Sequence, residues 1–127
     1  MDTKDLKERG LKLRRQMFGN QAVEARMNAA GDFGQPLQDI INGYAYGDVW
    51  SRAGLEPKIR SLVVLGMMAA INRPAEFSVH VRGALANGAT PDEIREVLLM
   101  LTMYCGIPAA NDAHRIAAEI LNSGQRP

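Results

Sequence analysis

Apolar residues recur at three- and four-residue spacings between Gly and Pro breaks, and no stretch alternates apolar with polar positions. The pattern predicts an all-α protein, a compact bundle of about six to seven helices. A first helix is expected from Thr3 to Phe18, with Gly19 suited to a left-handed cap, and a second from Asn20 to near Gly31. Pro36 can open a third that ends at Gly47, followed by an irregular passage to Leu55. Pro57 opens a fourth helix through Leu62, Val63, Gly66, Met67 and Ala70. Pro74 opens a fifth that stops at Asn87-Gly88, so the junction at Asn72-Arg73 must be tight. Thr90-Pro91-Asp92-Glu93 combines a cap residue, a first-turn proline and a glutamate three residues after the cap, the clearest helix start in the chain. Gly106 ends that sixth helix, and a seventh runs from Ala109 to about Asn122, leaving residues 124–127 without a reason to be ordered.

The apolar stretch from Leu62 to Ile71 is about half the length of a bilayer span, so no transmembrane helix is expected. This helix and the one from Val97 to Met103 are apolar around most of their circumference. One small core cannot cover both, and subunit contacts are expected to cover the rest. The 127 residues suit a single domain, 1–127, with a core at about 34–122 and an N-terminal helical extension at 1–31. A net charge of +1 with both signs interspersed gives no basic field for nucleic acid. Basic residues do cluster at Lys4, Lys7, Arg9, Lys12, Arg14 and Arg15, but Asp2, Asp5 and Glu8 interleave with them, which reads as a solvated helix. The lone Cys105 excludes an internal disulfide, and the lack of an apolar leader points to the cytoplasm. Cys105, Met100 and Met103 read as core packing.

Candidate chemistry gathers on the predicted fifth helix. Arg73, Glu76 and His80 are spaced by three and four residues, which places a cation, a carboxylate and an imidazole on one stripe. Phe77, Val81 and Leu85 lie on the other side of the same turns and dock the helix on a core. Glu76 and His80 can equally be a plain intrahelical pair, and Arg73 a surface residue at a helix start. His114, beside Asp112 and Arg115, reads as a surface or interface histidine, and two histidines make a poor metal site.

Five segments taken in order carry a family resemblance: Tyr46-Gly-Asp-Val-Trp50; Pro57-Lys-Ile-Arg60-Ser; Glu76-Phe-Ser-Val-His80-Val-Arg82-Gly; Asn87-Gly-Ala-Thr-Pro-Asp-Glu93; and Tyr104-Cys-Gly-Ile-Pro-Ala-Ala110. In this order and spacing the chain resembles the carboxymuconolactone decarboxylase family, and the resemblance covers roughly three quarters of its length. The resemblance implies an alkylhydroperoxidase-like helical fold and a ring-like homo-oligomer, commonly a hexamer. Thiol peroxidases of the wider superfamily resemble one another in a Cys-x-x-Cys-x-x-x-His motif. Here Arg73 and Glu76 occupy the cysteine positions, and Ser61 stands where those enzymes have a glutamate, which removes the thiol chemistry. The implied reaction is decarboxylation of 4-carboxymuconolactone to 3-oxoadipate enol-lactone in aromatic-acid catabolism, with no metal or organic cofactor. His80 would move the proton and Glu76 orient it. Arg73, with Arg60 and Arg52 as alternatives, would hold the retained carboxylate, and Tyr44, Tyr46 and Trp50 would line the pocket. Tyr46 and Trp50 can equally anchor the irregular passage to the core. An enzyme acting on a related lactone or carbonyl acid and a non-catalytic helical assembly protein are the alternatives.

Overall fold

A computed structural model of the protein describes residues 2–123, and the segment 124–127 that the sequence reading leaves without order lies outside them. The described residues form six α-helices and one π-helical segment, with no strand among them. They divide into two compact units, Met1–Pro57 and Lys58–Pro127.

The first unit contains α1 (Thr3–Phe18), α2 (Asn20–Ile40) and the π-helical segment Ile41–Val49. Asp2 caps α1 by accepting the Asp5 amide at 2.9 Å, and Gly19 ends it at φ 88°, as its sequence predicts. Gly31, at φ 56° and ψ −159°, breaks α2 where the second helix was expected to stop. The expected start at Pro36 is corrected: the chain turns helical again at once after Gly31, and Pro36 lies inside the resumed helix, about one turn in. The expected stop at Gly47 is corrected: helical structure runs on to Val49 in a wide π turn, and the Trp50 amide reaches back five residues to the Ala45 carbonyl at 2.8 Å.

The π segment meets α1 in close backbone contacts as well as through side chains. A Cβ on Gly10 would lie 1.7 Å from the Asn42 carbonyl oxygen, and one on Gly47 would lie 2.1 Å from the Leu6 carbonyl oxygen. Only glycine permits that approach. The reading of the first helix as a solvated element is therefore corrected: α1 buries Gly10, Arg14 and Met17. Arg14 is 4 % exposed, and its Nη1 donates to Gln38 Oε1 at 3.1 Å and Asn42 Oδ1 at 2.7 Å. Its guanidinium carbon sits 5.7 Å from the Tyr46 ring centroid. Tyr46 also stacks on Trp50 at 5.5 Å and meets the edge of Phe18 at 5.9 Å.

The second unit holds α3 (Pro57–Ala70), α4 (Pro74–Ala86), α5 (Pro91–Cys105) and α6 (Ile107–Asn122), with bounds close to those expected. Its core is apolar: Leu65, Phe77, Val81, Ile94, Leu98 and Ile120 are almost fully buried. The tight junction after α3 is a left-handed cap at Asn72 (φ 59°), closed by the Asn72 amide on the Ala69 carbonyl at 3.3 Å and the Arg73 amide on the Met68 carbonyl at 2.9 Å. Gly88, at φ 95°, closes α4 in the same way. Thr90 and Glu93 form the expected reciprocal cap on α5, with bonds of 2.9 and 3.1 Å.

The apolar surplus lies on two helix faces. Val63 and Met67 are exposed on α3 with Ile71 just beyond its end, and Met100, Met103 and Tyr104 are exposed toward the end of α5. Core packing for Cys105, Met100 and Met103 is thus corrected. Ile94, Leu98 and Leu101 already occupy the inward face of α5, and helical geometry turns residues 100, 103 and 104 away from it.

Candidate active site

The fifth predicted helix is α4, and its N-terminal turns are built as the sequence requires. Arg73 is the N-cap residue, at φ −118° and ψ 78°, and Pro74 takes the first turn, where a missing N–H is harmless. Phe77, Val81 and Ala84 lock the helix on the core, and Leu85 packs against it from the edge. That packing fixes the rotation of α4 and so the direction of the stripe. His80 is drawn in with the core residues and is 9 % exposed, while Glu76, one turn earlier, is half-buried. Ser61 and His80 are the buried polar side chains of this unit among the described residues. Ser61 Oγ accepts from Asn87 Nδ2 at 2.9 Å, tying the first turns of α3 to the C-cap of α4.

The arginines named from sequence have different surroundings. Arg73 is exposed, and its Nη1 lies 3.4 Å from the carbonyl oxygens of both Ile71 and Asn72, near the orphan carbonyls that end α3. Arg60 is half-buried on the first turn of α3. Arg52 belongs to the first unit and makes a paired contact with Asp48, Nε to Oδ1 at 2.9 Å and Nη2 to Oδ2 at 3.3 Å. That contact holds the Asp48 carboxyl below its usual range and raises Arg52 above its own. Tyr44 is 63 % exposed, whereas Tyr46 and Trp50 are stacked and each 8 % exposed, the core-anchor arrangement for that pair. His114 is half-buried, with Nδ1 2.8 Å from the Ala110 carbonyl.

The first unit also holds a cleft of about 530 Å³, lined by Arg9, Lys12, Leu13, Trp50, Arg52 and Glu56 among others. Two of its residues, Trp50 and Arg52, were named from sequence as ligand contacts. Arg9 and Lys12 were not, because interleaved charges on α1 looked like a solvated face. Their i,i+3 spacing was the available signal.

The model of the carboxymuconolactone decarboxylase family matches residues 35–119, from the second half of α2 through most of α6. The chain belongs to this family. Beyond the family model, it is 37 % identical over 113 residues to 4-carboxymuconolactone decarboxylase of Acinetobacter baylyi, an alignment covering 89 % of this chain and 84 % of the relative. It is 38 % identical over 115 residues to nitrosuccinic acid decarboxylase npaB of Metarhizium robertsii, covering 91 % of this chain and 80 % of that protein. These two decarboxylases, similar to this chain to the same degree, carry different substrates in their names. Both substrates are acids that lose carbon dioxide. Among the described residues of this family member, no helix is long and apolar enough to cross a membrane.

Proposed function

We propose that the protein is a carboxy-lyase of the cytoplasm that decarboxylates 4-carboxymuconolactone to 3-oxoadipate enol-lactone. The observation that carries this reading is the near full-length similarity to a decarboxylase of that name. The chemistry suits the site. In the lactone the scissile carboxylate sits where the electron pair left by carbon dioxide can delocalise onto the carbonyl oxygen, and nitrosuccinate offers a nitro group for the same purpose. The substrate supplies its own electron sink. The C–C bond to the carboxylate breaks, carbon dioxide leaves, and a proton must reach the carbon atom.

His80 carries that proton. Burial at 9 % exposure removes competing water from the ring, and an imidazole exchanges protons near neutral pH. Glu76, one helical turn away, orients the ring and favours imidazolium. The retained carboxylate requires a guanidinium, for which Arg73, Arg60 and Arg52 are the candidates. Exposed Met67, Met103 and Tyr104 support assembly into a homo-oligomer, of which a hexamer is the form the family suggests. Sedimentation should then show no monomer at micromolar concentration.

The test is carbon dioxide release measured with carboxymuconolactone and, in parallel, nitrosuccinate. Release from the lactone at the higher kcat/KM supports the proposal. Preference for nitrosuccinate moves the assignment to the second relative's substrate, and no release from either by folded protein leaves the non-catalytic assembly reading.

A further inference from the structure

Between residues 33 and 44 the first unit reverses the usual polarity of a surface helix. Such a helix normally buries its apolar side and shows its polar side to water. Here the buried positions are polar, Gln38 and Asn42, each 5 % exposed and each accepting from Arg14. The outward positions are apolar: Phe33 is 100 % exposed, Tyr44 63 %, Leu37 58 % and Ile40 53 %. Steps of four, three and four residues set these side chains in one row, the spacing of a seam between paired helices. Gly31, at φ 56°, breaks α2 just before the row begins, and the π segment carries its last member. At these exposures Phe33 and Tyr44 present roughly 300 Å² of aromatic surface, and Leu37 and Ile40 bring the row to about 500 Å². An apolar face of that size marks an interaction site.

We propose that this row is a two-fold contact surface for a second copy of the chain. Reversed end to end, the row matches itself, aromatic Phe33 against Tyr44 and aliphatic Leu37 against Ile40, as an isologous contact requires. Two such rows face to face bury about 1,000 Å², the area at which a specific interface begins. The row itself offers no charge for an acidic or basic partner to pair with, and Asp39 on its flank is already engaged by Lys7 at 3.7 Å and Gln35 at 2.8 Å. A lipid surface is a poorer fit. A helix lying on lipid shows Lys and Arg along its polar side, and here that side is buried against Arg14. The row is separate from the methionines and tyrosine of the second unit on which the proposed oligomer draws, and it does not depend on the reaction.

The test is sedimentation of the purified full-length chain. Leu37→Asp should lower the mass to half or less of the parent's, because each two-fold contact joins copies in pairs. Leu37→Met, which keeps apolar volume, should leave the mass unchanged. An unchanged mass in Leu37→Asp overturns the proposal. Met67→Asp probes the second-unit contact separately, so dissociation there with none in Leu37→Asp leaves the oligomer standing and removes this surface. Leu37 is exposed, and its variants are expected to fold. A measurement on nearly unaltered protein covers the case in which Leu37→Asp does not. With p-benzoylphenylalanine in place of Phe33, irradiation should give covalent dimers whose crosslink maps to residues 37–44 of the other copy. A crosslink elsewhere, or none between copies, overturns the proposal.

Discussion

In the first unit the closest helix approach is made by backbone, with Gly10 and Gly47 set where any side chain would meet a carbonyl oxygen at 1.7 or 2.1 Å. In the second unit the corresponding feature is far looser: a Cβ on Gly66 of α3 would meet only Val97 Cγ1 of α5, at 3.3 Å. The polar content differs too. The first unit buries Arg14, Gln38 and Asn42 in one hydrogen-bonded group, whereas the core of the second is a set of aliphatic and aromatic side chains, with Ser61 and His80 as its buried polar side chains among the described residues. The contrast separates two ways of fixing geometry. Backbone contact and hydrogen bonds specify a single arrangement and tolerate little change, while apolar packing tolerates substitution and can hold a functional side chain on a rigid helix.

The largest effect should come from Gly47→Ala. Its methyl group has only backbone to push against, so the loss should be about 3 kcal/mol or more in urea unfolding. Gly66→Ala should change stability by less than about 1 kcal/mol, because the gain in helix propensity offsets a contact that a valine methyl can relieve. Equal effects would remove the distinction between the units.

Arg14→Ala comes next. Burial pulls this guanidinium below its ordinary value, yet its bonds to Gln38 and Asn42 keep it in place. Truncation leaves two buried acceptors without their donor and should cost about 2–3 kcal/mol. Arg14→Met, which refills the volume against Tyr46, should recover part of that loss. A neutral Arg14→Ala would mean that the polar group contributes no stability.

A smaller effect belongs to the cap of α5 in the second unit, where Thr90→Ala should cost about 1 kcal/mol. The Thr90 amide first, and then Lys58, hold the Glu93 carboxyl below its usual range. A carboxylate with a lowered folded pKa stabilises the protein above its unfolded value, about 4.3, and that contribution disappears as pH falls through the folded value. The stability gap between the parent and Glu93→Gln should therefore be full at neutral pH and close in acid, as chemical denaturation at several pH values would show.

The same contrast explains what could be read from the sequence. Helix ends at Gly19, Asn72, Gly88, Thr90 and Gly106 were legible because capping is decided by neighbouring residues. Phe77 and Val81 were legible because helical periodicity alone sets which side they face, whereas the same periodicity put His80 on the opposite side and the structure buries it with the core residues. The π turn after Ile40 was not legible, since it rests on Gly47 meeting α1 thirty-seven residues earlier in the chain at Gly10. Nor was the burial of Arg14, one of several cations in a run that looked solvated. The exposed Met100 and Met103 were misjudged in the opposite direction: apolar residues were assigned to a core whose inward positions on α5 were already filled. Substrate identity is not local at all, and two relatives of similar identity name different acids.

The central claim is that buried His80 on α4 delivers the proton. The most direct measurement is the pH profile of kcat for carboxymuconolactone in the parent, Glu76→Gln and His80→Gln, with circular dichroism to confirm the fold. His80→Gln should lower kcat by about a hundredfold or more and abolish the limb on which activity falls as pH rises through the imidazolium pKa. Glu76→Gln should do less harm and move that limb to lower pH, because imidazolium loses a neighbouring negative charge. A folded His80→Gln protein that turns over at nearly the parent rate with an unchanged profile would contradict the account.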